Sequence, residues 1–202
     1  MIRSDSSASS GVPWPAMARS SSSRARRRSA WGVRAFISAS KPAMPPSPTS
    51  PTVIGQAIER LHADPRRIAI GGISTGGFGA LDLARRDPHR FCGVGGHSAA
   101  LWVSGGESAA GAFDDAEDYA RNDVIGAART RDPYRGTAVW IDVGTEDPFR
   151  AADTRLAEEL RRDGQPVRVH VWPGGHDGSY WSGHRGGYLR FYAGALAHCR
   201  PG

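Results

Sequence analysis

Two kinds of apolar run alternate along the chain, and together they predict its elements. Val53, Ile54, Ala57, Ile58 and Leu61 recur at helical spacing, which predicts an amphipathic helix. Ser50 followed by Pro51 supplies an N-cap and a first helical residue for it. The next run, IAIGG at 68–72, is short, apolar and closed off by turn residues, as a strand buried on both faces of a parallel sheet should be. After a knot of glycines, Phe78, Leu81, Leu83 and Ala84 return to helical spacing until Pro88 stops them.

The alternation continues to the C-terminus. FCGVGGHS (91–98), AVWIDVG (138–144) and VRVHVW (167–172) read as strands. Between and after them come an acidic helix at 114–129, an amphipathic helix at 150–164 that ends on Gly164, and a closing helix at 187–199. Strand and helix in repeated alternation predict an α/β fold, a mainly parallel sheet flanked by helices. Residues 1–50 break the pattern. They are rich in Ser, Arg and Pro, hold few large apolar residues and lack periodicity, so they read as a disordered tail ahead of one domain over 51–202.

Charge sharpens that division. Of 26 Lys and Arg and 20 Asp and Glu, eight bases and one acid lie in residues 1–52, which leaves 18 bases against 19 acids in the rest. The formal +6 therefore belongs to the tail. The domain itself offers no basic face, and nucleic acid is not an expected partner. No apolar run reaches the ~18 residues of a membrane span, and SAWGVRAFISAS (29–40) is interrupted by Arg34, so no export signal is expected and the default location is cytoplasmic. Cys92 and Cys199 form no C-x-x-C and no clustered ligand set; neither a metal nor any other cofactor is expected.

Candidate chemistry sits in the glycine knot. GGISTGG places Gly77 where a P-loop needs lysine, and GFGALD ends in Asp82, which spoils a dinucleotide fingerprint. What fits is G-x-S-x-G, Gly72-Ile73-Ser74-Thr75-Gly76, between a strand and a helix. That is the pattern of a nucleophile elbow, with Ser74 on a sharp turn that the two glycines allow to close. A serine needs a base. Of seven histidines, His176 follows the last strand on a Gly-rich loop, with His97 as the weaker alternative. His170 lies within a strand and packs or faces solvent, and His62, His89, His184 and His198 suit the surface. The acid that orients the base is expected where the best strand ends, at Asp147, with Glu146 beside it and Asp142 inside the strand as alternatives. Pro148 keeps Asp147 out of helical geometry.

AIGGISTGGFGAL, GTEDPF and GGHDGSYW, in this order over residues 51–199, resemble the esterase branch of the α/β-hydrolase superfamily, which holds esterase D-type enzymes, feruloyl esterases and mycolyltransferases. The resemblance implies a serine carboxylesterase-like hydrolase acting on small-molecule acyl esters through an acyl-enzyme, with Ser74 as nucleophile, Asp147 as acid and His176 as base. Trp181 matches an aromatic that the family places after the histidine loop, whereas Gly178 departs from the family's tryptophan. The backbone N–H of Thr75 would be one oxyanion donor. A second belongs on a loop upstream, where this chain has only its Ser/Arg/Pro tail. Against the family the chain thus reads as N-terminally truncated, with residues 1–50 an out-of-frame or mis-started translation. Three functional readings stay open: a hydrolase impaired by the lacking loop, an acyltransferase of the same fold, and an inactive fragment.

Overall fold

In the computed structural model, residues 53–199 are described; the tail at 1–50 and the Ser50–Pro51 helix start lie outside them. Helix α1 (Val53–Leu61) leads into strand β1 (Ala69–Ile73), helix α2 (Thr75–Arg86) and strand β2 (Gly93–His97). Two short helices, α3 (Ala116–Asn122) and α4 (Val124–Thr130), precede β3 (Ala138–Gly144), α5 (Arg150–Arg162), β4 (Val167–Trp172) and α6 (Gly178–Ala197).

The four strands lie in the order β1-β2-β3-β4, every pair parallel. Right-handed crossovers between strands in sequential order put their helices on one face. The main core accordingly joins Leu81 and Ala84 of α2, Val124 and Ile125 of α4, and Leu156 and Leu160 of α5 to Val94, Val139 and Ile141 of the sheet. On the opposite face α6 packs Tyr188 and Phe191 against Trp140. Glycines permit that close approach: a Cβ on Gly71 or Gly95 would collide with the hydroxyl of Tyr192 on α6. The glycine-rich wording of β1 and β2 is therefore partly a seat for one aromatic ring.

Three elements differ from the sequence pattern. The acidic helix at 114–129 is two helices, because Asp123 takes an extended conformation (φ −71°, ψ 97°) and its side chain accepts the N–H of Gly126, capping α4. The closing helix starts at Gly178 rather than 187, since Asp177 accepts the N–H groups of Ser179 and Tyr180. The apolar stripe of α1 is only partly used: Ile54 packs on the core, while Val53 and Leu61 are exposed. The other elements agree closely in extent, and Gly164 at φ 78° ends α5 as its position suggests. In burial β1 departs from the buried strand its apolar run predicts, because among the described residues it is an edge strand, with Ile73 40% exposed.

One link was not legible in the sequence. Cys92, just before β2, and Cys199, just after α6, form a disulfide across a separation of 107 residues. Beside it the Arg67 guanidinium donates twice to the Leu196 carbonyl, at 3.0 and 2.7 Å. The C-terminal end of α6 is thus bolted to the sheet.

Candidate active site

Ser74 occupies the single residue between β1 and α2, at φ 56° and ψ −123°. A non-glycine residue at positive φ is strained and must be held there by its surroundings. Its N–H donates to the His97 carbonyl at 3.0 Å, and its own carbonyl accepts the N–H groups of Phe78 and Ala100, both at 3.0 Å. Gly72 is part of the same geometry, because a Cβ there would run into the carbonyl of Gly76. At Gly76 itself a Cβ would meet nothing within 4 Å. The two glycines thus serve different ends: one closes the turn, and the other leaves space open beside Ser74. Thr75 is the first residue of α2, where N–H groups have no partner within the helix and the dipole favours an anion.

The other two residues arrive on loops at the same ends of β3 and β4. Asp147 lies three residues past β3 and is 5% exposed. His176 lies four past β4. The loops are zipped together: the N–H of Thr145 donates to the Trp172 carbonyl at 2.8 Å and that of Glu146 to the Gly174 carbonyl at 2.9 Å. Gly144 has no Cβ to strike Gly174. As a result His176 Nδ1 donates to Asp147 Oδ2 at 2.9 Å, and Ser74 Oγ donates to His176 Nε2 at 2.9 Å. Asp147 Oδ1 accepts the N–H of Phe149 at 2.9 Å. Phe149 and Trp181 flank the imidazole edge-on, each with ring centroids 5.1 Å away. Trp181 is fixed in turn by donating to Ser98 Oγ at 3.2 Å.

The alternative residues lie elsewhere. Glu146 is exposed. Asp142 and His97 pair with each other across β2 and β3, at 2.6 Å, on the face covered by α6. Tyr192 donates to the remaining nitrogen of His97 at 2.8 Å, so both nitrogens are engaged away from the Ser74 hydroxyl. His170 stacks on Trp172 with centroids 4.4 Å apart, and burial holds its imidazole below the usual value.

Asp153, on α5, lies on the same buried stripe as Ala152, Leu156, Ala157 and Leu160, and no motif in the sequence singles it out. It is fully buried, and no side chain among the described residues donates to its carboxyl oxygens; the backbone N–H of Ala99 is the one group that favours its charged form. Burial pushes its carboxyl well above the usual range, and the charges of Asp147 and Asp142 push the same way. Among the described residues no helix is long and apolar enough to cross a membrane, and no group of three or more His, Cys, Asp or Glu could hold a metal ion.

A parallel sheet with flanking helices, carrying serine, carboxylate and imidazole in that chain order beyond its strand ends, defines an α/β-hydrolase. Residues 56–184 match the family described as "Putative esterase", and the chain belongs to that family. Similar solved structures include a ferulic acid esterase, at 26% identity and TM-score 0.60, with 71% of this chain and 59% of that one covered. An S-formylglutathione hydrolase from Staphylococcus aureus matches at 19% identity and TM-score 0.52, over 70% of this chain and 57% of the other. A capsule O-acetyltransferase of Neisseria meningitidis serogroup A matches at 18% and 0.51, over 69% and 61%. The chain spans about three fifths of the length of these proteins. A search of curated proteins found no match.

Proposed function

We propose that the chain hydrolyses small-molecule carboxylic esters through an acyl-enzyme, with Ser74 as nucleophile on a nucleophile elbow formed by Gly72 and Gly76. The reading is carried by one observation, the unbroken hydrogen-bond path from Ser74 Oγ through His176 to Asp147, 2.9 Å at each step. Ser74 Oγ attacks the ester carbonyl while His176 Nε2 takes its proton. Asp147 holds the Nδ1–H tautomer and stabilises the imidazolium. The developing oxyanion turns to the N-terminus of α2, where the Thr75 N–H donates. His176 then protonates the departing alcohol and, in the second half, deprotonates the water that releases the acid.

The test is release of p-nitrophenol from p-nitrophenyl acetate by the full chain and by Ser74→Ala. The proposal predicts a loss of at least about 10³-fold in kcat for the variant. Equal rates would refute it.

A further inference from the structure

Asp142 is a buried hub. Its Oδ1 accepts from His97 Nδ1 at 2.6 Å and from Trp140 Nε1 at 2.5 Å, and its Oδ2 from the hydroxyls of Tyr188 at 2.8 Å and Tyr180 at 3.2 Å. Both tyrosines are on α6, nearly inaccessible at 7% and 4% exposure, and donate to the same oxygen. What lies behind each ring differs. Tyr188 stacks on His97, centroids 3.7 Å apart, and meets Trp140 edge-on at 6.2 Å. Those contacts are interior packing between helix and sheet.

Tyr180 faces the His176 loop. Its ring comes so close to Gly174 that a Cβ built there would lie 2.9 Å away, and Gly174 takes φ 135°. The same glycine's carbonyl accepts the N–H of Glu146 and so joins the two loops. Tyr180 also stands in the first turn of α6, its N–H donating to the Asp177 carboxylate at 3.0 Å, one residue past His176.

We propose that Tyr180 is a positioning residue: its hydroxyl, anchored on the buried Asp142 carboxylate, fixes the ring as a floor under Gly174 and so sets the His176 imidazole between Ser74 and Asp147. Loss of the hydroxyl lets the ring shift and the loop follow. This inference rests on the reading of Ser74 and His176 given above.

Tyr180→Phe and Tyr188→Phe each remove one hydroxyl from the same carboxylate oxygen, so they serve as a matched pair. Both should lower the thermal midpoint. Assayed well below both midpoints on p-nitrophenyl acetate, Tyr180→Phe should lose about tenfold in kcat with KM unchanged, since small displacements of a catalytic group carry penalties of that order or more. Tyr188→Phe should stay within about twofold of wild type, a fraction of the penalty for displacement. The low-field proton resonance of the His176–Asp147 hydrogen bond gives a readout independent of turnover; it should shift or broaden in Tyr180→Phe alone. Equal kcat in the two variants, with that resonance unchanged in both, would overturn the proposal. A Ser74→Ala arm separates the two levels. If that variant is inactive while the tyrosine variants match, only the role of Tyr180 falls; if it keeps wild-type activity, the triad reading falls and the role with it.

Discussion

Asp142 and Asp153 are both fully buried carboxyl groups, yet four side chains donate to one and, among the described residues, no side chain donates to the other. An isolated buried carboxylate is so costly that the group keeps its proton instead. For Asp153 the linkage has a definite sign. Its folded pKa is raised above the unfolded value, near 3.9, so the native state binds more protons. Stability is then full below the unfolded value and declines as pH rises toward the folded one, by about 1.4 kcal/mol per unit of displacement. Asp153→Asn should remove this decline, so that thermal unfolding from pH 4 to 8 gives a Tm difference, variant minus wild type, that grows with pH. A constant difference would contradict it. Strand alternation alone sets Asp142 apart from Glu146 and Asp147. Asp142 shares its parity in β3 with Trp140 and so faces α6, whereas Asp147 lies beyond the strand end. Asp153 belongs to no motif, yet its spacing of three, four and seven residues from Leu156, Ala157 and Leu160 already puts it on the buried stripe of α5.

Among the elements, the turn from β1 into α2 separates steric need from open space. Gly72→Ala drives a methyl into the carbonyl of Gly76, backbone that cannot move without unwinding the first turn of α2. It should cost at least about 2 kcal/mol of stability. Gly76→Ala meets nothing within 4 Å, and Gly76 is the second residue of α2. It should leave Tm unchanged or raise it, because alanine favours a helix over glycine by up to about 1 kcal/mol. Urea unfolding of both variants checks the contrast, and equal losses would refute the account of the turn. The strands and long helices were legible because apolar spacing fixes them locally. The break at Asp123 and the early start of α6 were not, since one depends on a capping carboxylate within an acidic run and the other on a helix carrying Gly183, Gly186 and Gly187.

Over the whole molecule, α6 ties the account together. One end carries Asp177 and Tyr180 beside the His176 loop, the middle covers Asp142 and His97, and the other end is held by Arg67 and the Cys92–Cys199 disulfide. A cross-link of this span restricts the unfolded chain and contributes about 2–4 kcal/mol. Cys199→Ser should therefore lower Tm by roughly 5–15 °C for a chain of this size. An unchanged Tm would show the bond to be dispensable. Two cysteines 107 positions apart carry no sequence signal of pairing; only the return of α6 to the start of β2 brings them together.

In the proposed mechanism Ser74 is the group that becomes acylated, with His176 as its base. A p-nitrophenyl alkylphosphonate tests this most directly, because it leaves a stable adduct on an activated serine whether or not turnover is fast. Mass spectrometry of the digested full chain should find one adduct, on the peptide holding Ser74, absent from Ser74→Ala and strongly slowed in His176→Ala. Labelling that persists in Ser74→Ala, or proceeds at the wild-type rate in His176→Ala, would contradict the account.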